Sequence, residues 1–217
     1  EWVKQNVIAH RRKIWGIMEA SSFFQPSDKF PAKKRTGAMG SVVYLFVGRL
    51  DKNKDPLTVI KAFLQFRQNS ADVRLYLIYH TIELLEEIRQ LLINEKYGNS
   101  IVLVGEVFHD DMAFWYNSAD FIISGSHYEG SGVAVCEAMS CGCIPILTDI
   151  LSFKKISANG HCGLLYEPGN TNALLSALLE SQQMNIEEER QKVLEQFARD
   201  LSFEAIAAQI DARISSL

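Results

Sequence analysis

The chain has 217 residues, 47% of them hydrophobic and 22% charged, enough to bury a sizeable core in one large domain and too apolar for a disordered polymer. Its formal net charge of -4 supplies no global field that would gather nucleic acid or an anionic membrane, so neither partner is indicated. No apolar run approaches the roughly 18 residues of a membrane span, and no signal segment opens the chain, so a cytoplasmic protein is expected.

Residues 1 to 40 interleave Trp2, Val3, Val7, Ile8, Ile14, Trp15 and Ile17 with charge at helical spacing, and Pro26, Pro31, Gly37 and Gly40 follow; an N-terminal helix and a linker are expected. The basic runs His10 to Lys13 and Lys33 to Arg35 read as a solvated helix face and a solvated linker. From Ser41 the pattern changes to short apolar runs alternating with amphipathic segments. Strands are predicted at 42–47, 73–79, 101–104, 121–124, 144–147 and 163–166, and helices at 56–69, 83–95, 110–118, 133–140 and 171–183. Two further helices, 186–200 and 203–215, complete the chain.

Apolar runs without polar alternation belong to strands covered by helices on both faces, so the fold class is α/β with a doubly wound parallel sheet. Residues 41–183 form the Rossmann-like domain, and 184–217 are extra C-terminal helices. Asp55 is placed to cap the first sheet helix, with Pro56 at its first position, and Asp110 to cap the helix carrying Phe114 and Trp115. Cys136, Cys141, Cys143 and Cys162 match neither a paired zinc spacing nor a disulfide ladder and read as small buried thiols of a reducing compartment.

In such a sheet, ligands sit at the carboxyl ends of the strands. After the first strand, Gly48-Arg49-Leu50-Asp51-Lys52-Asn53-Lys54 places two cations, Arg49 and Lys54, where a polyphosphate would be held or where they are simply surface charge. After the third, Gly105-Glu106-Val107-Phe108-His109 either offers backbone groups to a flat base or is a plain connecting loop. After the fourth, Glu129-Gly130-Ser131-Gly132-Val133 runs straight into a helix, whose unpaired N–H groups and dipole suit an anion. Glu129 and Glu137 are awkward beside a diphosphate and make better sense as acceptors for sugar hydroxyls, although Glu137 alone would read as an exposed helix residue.

The string Gly48-Arg49-Leu50 with Lys54, then Ala119-Asp120 entering a strand, Glu129-Gly130-x-Gly132, and Glu137-Ala138-Met139-x-Cys141-Gly142-x-x-Pro145 resembles the group 1 family of retaining GT-B glycosyltransferases, from about Ser41 to Leu179. The resemblance implies the donor-binding C-terminal domain of such an enzyme, with Arg49 and Lys54 on the donor diphosphate and Glu129 approaching the transferred sugar. It implies that Glu137 accepts from the ribose hydroxyls, that Gly130, Ser131, Gly132 and Val133 supply backbone N–H groups, and that Gly48 and the Glu106, Val107, Phe108 loop line the nucleotide. Ser131 departs from the pattern, standing where an aromatic is frequent, which bears on the shape of the sugar pocket. His127 lies beside the site, as a structural histidine or as a ligand contact.

The family needs no metal, and here no Asp-x-Asp follows a strand. The donor is a nucleotide diphosphate-sugar. The acceptor, a glycan, lipid or small molecule, would be bound by an N-terminal domain upstream of Glu1, so this piece alone is expected to transfer little sugar. A non-catalytic nucleotide-binding module is the alternative. The turn at Gly48 lacks the dinucleotide fingerprint, and Cys136 lacks a histidine partner, which disfavours an oxidoreductase and a cysteine hydrolase.

Overall fold

The computed structural model describes residues 16–17, 20–70 and 72–216. The amphipathic stretch from Trp2 to Trp15 and the basic run at His10 lie outside them. The elements are α1 (Lys29–Thr36), β1 (Val42–Val47), α2 (Pro56–Gln68), β2 (Val73–Ile78), α3 (Leu85–Asn94), β3 (Ile101–Gly105), α4 (His109–Ser118) and β4 (Phe121–Ser124). They continue as α5 (Val133–Ser140), β5 (Ile144–Thr148), α6 (Leu151–Ile156), β6 (Leu164–Tyr166), α7 (Thr171–Ser181), α8 (Ile186–Gln196) and α9 (Phe203–Ile214).

All six strands are parallel, in the order β3-β2-β1-β4-β5-β6. The continuous apolar strands follow from this order, because helices cover both faces. Along β1 the side chains divide between two cores: Tyr44 and Phe46 join one, Val43 and Leu45 the other. On the larger side Tyr44 stacks on Phe121 at 5.0 Å and meets Phe63 and Phe66 edge-on. Burial raises the Tyr44 phenol well above its usual range, so its hydroxyl stays protonated beside Ser181 Oγ at 2.9 Å.

The order reverses between β1 and β4. From β1 the chain proceeds outward through β2 and β3, then returns to β4, so a crevice opens where the connections leave these two central strands in opposite directions. The other end of the same pair is locked by Asp120, whose carboxylate accepts from Val43 N at 2.8 Å and pairs with Lys29. The Ala119-Asp120 motif is therefore a clamp on the sheet, remote from the crevice.

Local signals account for several boundaries. Asp55 caps α2 by accepting from Thr58 N at 3.2 Å, with Pro56 at the first position. The predicted cap at Asp110 is wrong: α4 starts one residue earlier, and no side chain caps it. Asp110 and Asp111 lie in its first turn, where a carboxylate still favours the helix dipole, and Asp111 reaches Arg35 of α1 at 3.0 Å. The predicted linker at Lys33 to Arg35 is the last turn of α1, closed by Gly37 in the left-handed region at φ 72°. Its three cations sit at the negative helix end, and Lys33 Nζ donates to Gly40 O at 2.8 Å. The helix predicted over 186–200 ends at Gln196 and runs into a wider turn, in which Ser202 N donates to Phe197 O at 2.8 Å.

All four cysteines are buried and unbridged, as the sequence suggests. Burial raises the Cys136 thiol to about 12 and that of Cys141 to about 11. Among the described residues no helix is long and apolar enough to cross a membrane.

Candidate functional site

The crevice is built by the loops that follow β1 and β4. Asp51 shapes the first of them. Its Oδ1 accepts from Lys54 N at 2.9 Å, and its Oδ2 forms an ion pair with Arg49 Nε at 3.0 Å, so one carboxylate sets the loop backbone and attracts the Arg49 side chain. Arg49 remains 52% exposed, whereas Lys54 is 21% exposed and turned across the crevice onto Glu129.

Glu129 is 14% exposed and is gripped from two sides: Lys54 Nζ pairs with its Oε1, and Ser126 Oγ donates to the same oxygen at 2.7 Å. The serine is itself fixed, with its carbonyl accepting from Thr148 Oγ1 of β5 at 2.5 Å. Lys54 and Glu129, candidates from two loops, are thus brought together directly.

The two loops are also laced through their backbones. Asn53 Oδ1 accepts from Tyr128 N and its Nδ2 donates to Tyr128 O, both at 3.1 Å, while Asn53 O accepts from His127 N at 2.8 Å. His127 Nε2 meets Asp55 Oδ2 at 3.1 Å, so within the described structure His127 ties the loops together. Gly125 permits the approach: a Cβ there would lie 2.9 Å from the carbonyl oxygens of both Lys54 and Asp55.

The glycine loop then delivers the chain to α5. Gly132 is the residue before the helix, at φ 63°, where a Cβ would come within 2.9 Å of Phe153 Cε1. Among the described residues no side chain caps this helix start. The chain enters it past Gly130, which is open on its Cβ side, and through the exposed Val133.

One turn into α5, Glu137 is 15% exposed and is not the exposed helix residue that its position alone suggests. Tyr116 Oη of α4 donates to its Oε2 at 2.8 Å, and His109 Nε2 stands 3.5 Å from its Oε1. Burial and the adjacent Glu137 raise the Tyr116 phenol well above 10, so it remains a donor. Glu106 and Phe108 are exposed in the loop after β3, where together with Val107, Arg35 and Trp115 they line a cleft of about 340 Å³. Gly48 N donates to Ile78 O at 3.1 Å, which fixes the start of the β1 loop.

Asn53, Ser126, Gly125 and Tyr116 are working parts that sequence reasoning passes over. Ser126 and Gly125 follow a strand end directly, which is a usable signal; Tyr116 reads as helix core, and nothing local marks its partner. Among the described residues no three His, Cys, Asp or Glu side chains converge in a metal cage.

The family model "Glycosyl transferases group 1" matches residues 28–200, and the chain belongs to that family. It is 26% identical over 148 residues to the D-inositol 3-phosphate glycosyltransferase of Pseudarthrobacter chlorophenolicus, covering 66% of this chain and 35% of that enzyme. The fold superposes on Anabaena HepE, solved in complex with UDP and glucose, with a TM-score of 0.75 at 19% identity, over 89% of this chain and 54% of that one. It also superposes on the C-terminal domain of the group 1 protein LpcC of Francisella tularensis, with a TM-score of 0.71 at 19% identity, covering 83% of this chain and 96% of that domain. The chain thus spans about a third of the enzyme relative and about half of the HepE chain, but nearly all of an isolated C-terminal domain.

Proposed function

We propose that this chain is the donor-binding domain of a retaining glycosyltransferase that takes a sugar from a nucleotide diphosphate-sugar. The observation that carries the reading is the meeting of Lys54 and Glu129 across the ends of β1 and β4, beside the uncapped start of α5. Here a cation and the positive end of the helix serve the diphosphate while a fixed carboxylate serves the sugar.

When the bond between the anomeric carbon and the diphosphate oxygen breaks, negative charge accumulates on the leaving phosphate. Arg49, Lys54 and the helix dipole of α5 neutralise it, so no divalent ion is required. Lys54 has three donor hydrogens and can bind a phosphate oxygen while keeping Glu129 in place. Glu137, beside the loop of residues 106–108, takes the ribose, and that loop lies along the base. The acceptor, a glycan, lipid or small molecule, is held by a separate domain outside these residues. The four unbridged thiols support a cytoplasmic setting.

Calorimetry with uridine, guanosine and adenosine diphosphates, in EDTA, tests the reading. Saturable binding of at least one, weakened for its nucleoside, is expected. Absence of binding for all three, or binding that appears only with a divalent cation, would refute it.

A further inference from the structure

We infer that Tyr116 is a positioning residue for nucleotide recognition: its hydroxyl holds the Glu137 carboxylate in the orientation that lets the other oxygen accept from the ribose. The inference rests on the donor-site reading above. It assigns a role to a residue buried in α4, outside the two loops of the crevice.

Three observations lead to it. Glu137 is nearly enclosed, and its two oxygens face different environments: Oε2 receives the Tyr116 hydroxyl at 2.8 Å, and Oε1 faces the exposed His109 ring at 3.5 Å, beyond a good hydrogen bond. Burial, with Glu137 beside it, keeps the phenol protonated, so Oε2 is supplied with a hydroxyl donor.

The phenol is also held rigidly. Phe24 packs against Tyr116 at 5.9 Å and against His109 at 5.0 Å between ring centroids. The segment carrying Phe24 is tied to α4, with Ser27 N donating to Asn117 Oδ1 at 2.6 Å and Asn117 Nδ2 donating to Gln25 O at 3.1 Å. Tyr116 is therefore a fixed post, and the carboxylate pivots against it.

Without the hydroxyl, a three-bond side chain would swing among rotamers, and the outward oxygen would lose its aim. The consequence is selective: affinity falls for a ligand that uses the ribose hydroxyls and not for one that lacks them.

The test measures the dissociation constants of uridine 5′-diphosphate and of its 2′,3′-dideoxy counterpart by calorimetry, with guanosine or adenosine pairs substituted if one of these binds best. For Tyr116→Phe the ratio of the two constants should contract by about tenfold, the scale of one hydrogen bond to a charged group. In the Glu137→Gln background the same change should leave the ratio unmoved. A general loss of packing would weaken both ligands alike, and a ratio from one preparation does not depend on the fraction folded. Glu137→Asp, which draws the carboxylate back from the phenol, supplies a second route should Tyr116→Phe not fold, and should contract the ratio similarly. If Glu137→Gln contracts the ratio while Tyr116→Phe and Glu137→Asp do not, the positioning role is overturned and the ribose reading stands. If Glu137→Gln leaves the ratio intact, the ribose reading itself fails.

Discussion

Arg49 and Lys54, two of the cations of the β1 loop, separate binding from stability in a way that can be measured. Arg49 is half exposed and, among the described residues, pairs with Asp51 of its own loop, so Arg49→Ala removes a surface pair of about 0–1 kcal/mol and should barely move the melting temperature. Lys54 is mostly covered and bridges two loops 75 residues apart. Among the described residues its loss leaves the enclosed Glu129 carboxylate to Ser126, and a hydrogen bond to a charged group contributes about 1.5–3 kcal/mol. At about 2–4 °C per kcal/mol for a domain of this size, Lys54→Ala should melt several degrees lower. Both variants should weaken nucleoside diphosphate binding by about tenfold to a hundredfold, and the nucleoside less. Lys192, exposed on α8 and paired with Glu189 at 2.6 Å, is the control for general basicity. Calorimetry and thermal denaturation on Arg49→Ala, Lys54→Ala and Lys192→Ala at physiological salt decide the matter. Equal affinity losses in all three, or none in the first two, would refute the diphosphate assignment; equal melting temperatures for the first two would refute the bridging role of Lys54.

Gly132→Ala forces a left-handed backbone on a residue with a Cβ and drives that Cβ into Phe153, so it should cost about 1–3 kcal/mol in chemical denaturation; an unchanged midpoint would show that the loop can be rebuilt. Alkali should destabilise the fold. The unfolded thiols lose protons near 9.0 while the buried Cys136 and Cys141 hold theirs to about 12 and 11, so above pH 9 the unfolded state binds fewer protons and stability falls by up to about 1.4 kcal/mol per pH unit for each thiol. Below pH 8 this contribution is constant, and Cys136→Ala should flatten the slope of melting temperature between pH 9 and 11; an identical slope would exclude the thiol as its source. In α9 no residue is buried, although Phe203 stacks on Phe23 at 4.3 Å and Ile206 is half-buried, so its amides should exchange faster than those of α7; slow exchange throughout α9 would contradict this.

The sheet was legible because its signals are local. An apolar run such as Val42 to Val47 has one satisfactory setting, between two helical layers, and Asp55-Pro56 announces a helix start chemically. The errors were local competitions. Asp110 is a good cap by type, but Phe108 is extended and His109 already helical, so the aspartate falls inside the first turn. Lys33 to Arg35 read as a linker, and although Lys34 and Arg35 are exposed as expected, they form the last turn of a helix that Gly37 closes. The site was legible as a set of residues following strand ends. Its wiring was not, since the bonds from Tyr116 to Glu137 and from Lys54 to Glu129 join positions that only the tertiary fold brings into register.

That wiring determines how the crevice can respond to a ligand. Asn53 grips the Tyr128 peptide from both sides, Asp55 holds His127, and Gly125 lets the carbonyls of Lys54 and Asp55 pass at close range, so the β1 and β4 loops behave as one body. On the proposed reading, a diphosphate entering between Lys54 and the start of α5 would meet a helix start already set by Gly132, with little ordering entropy left to lose. The adjustable parts are side chains: Arg49, which must leave Asp51 to reach a phosphate, and Lys54, which must share its donors between the phosphate and Glu129. Because Asp51 also holds Lys54 N, releasing Arg49 leaves the loop backbone anchored. On the proposed reading the conformational cost of binding therefore falls on these two side chains, and mainly on the exposed arginine, while Ser126 keeps Glu129 in place.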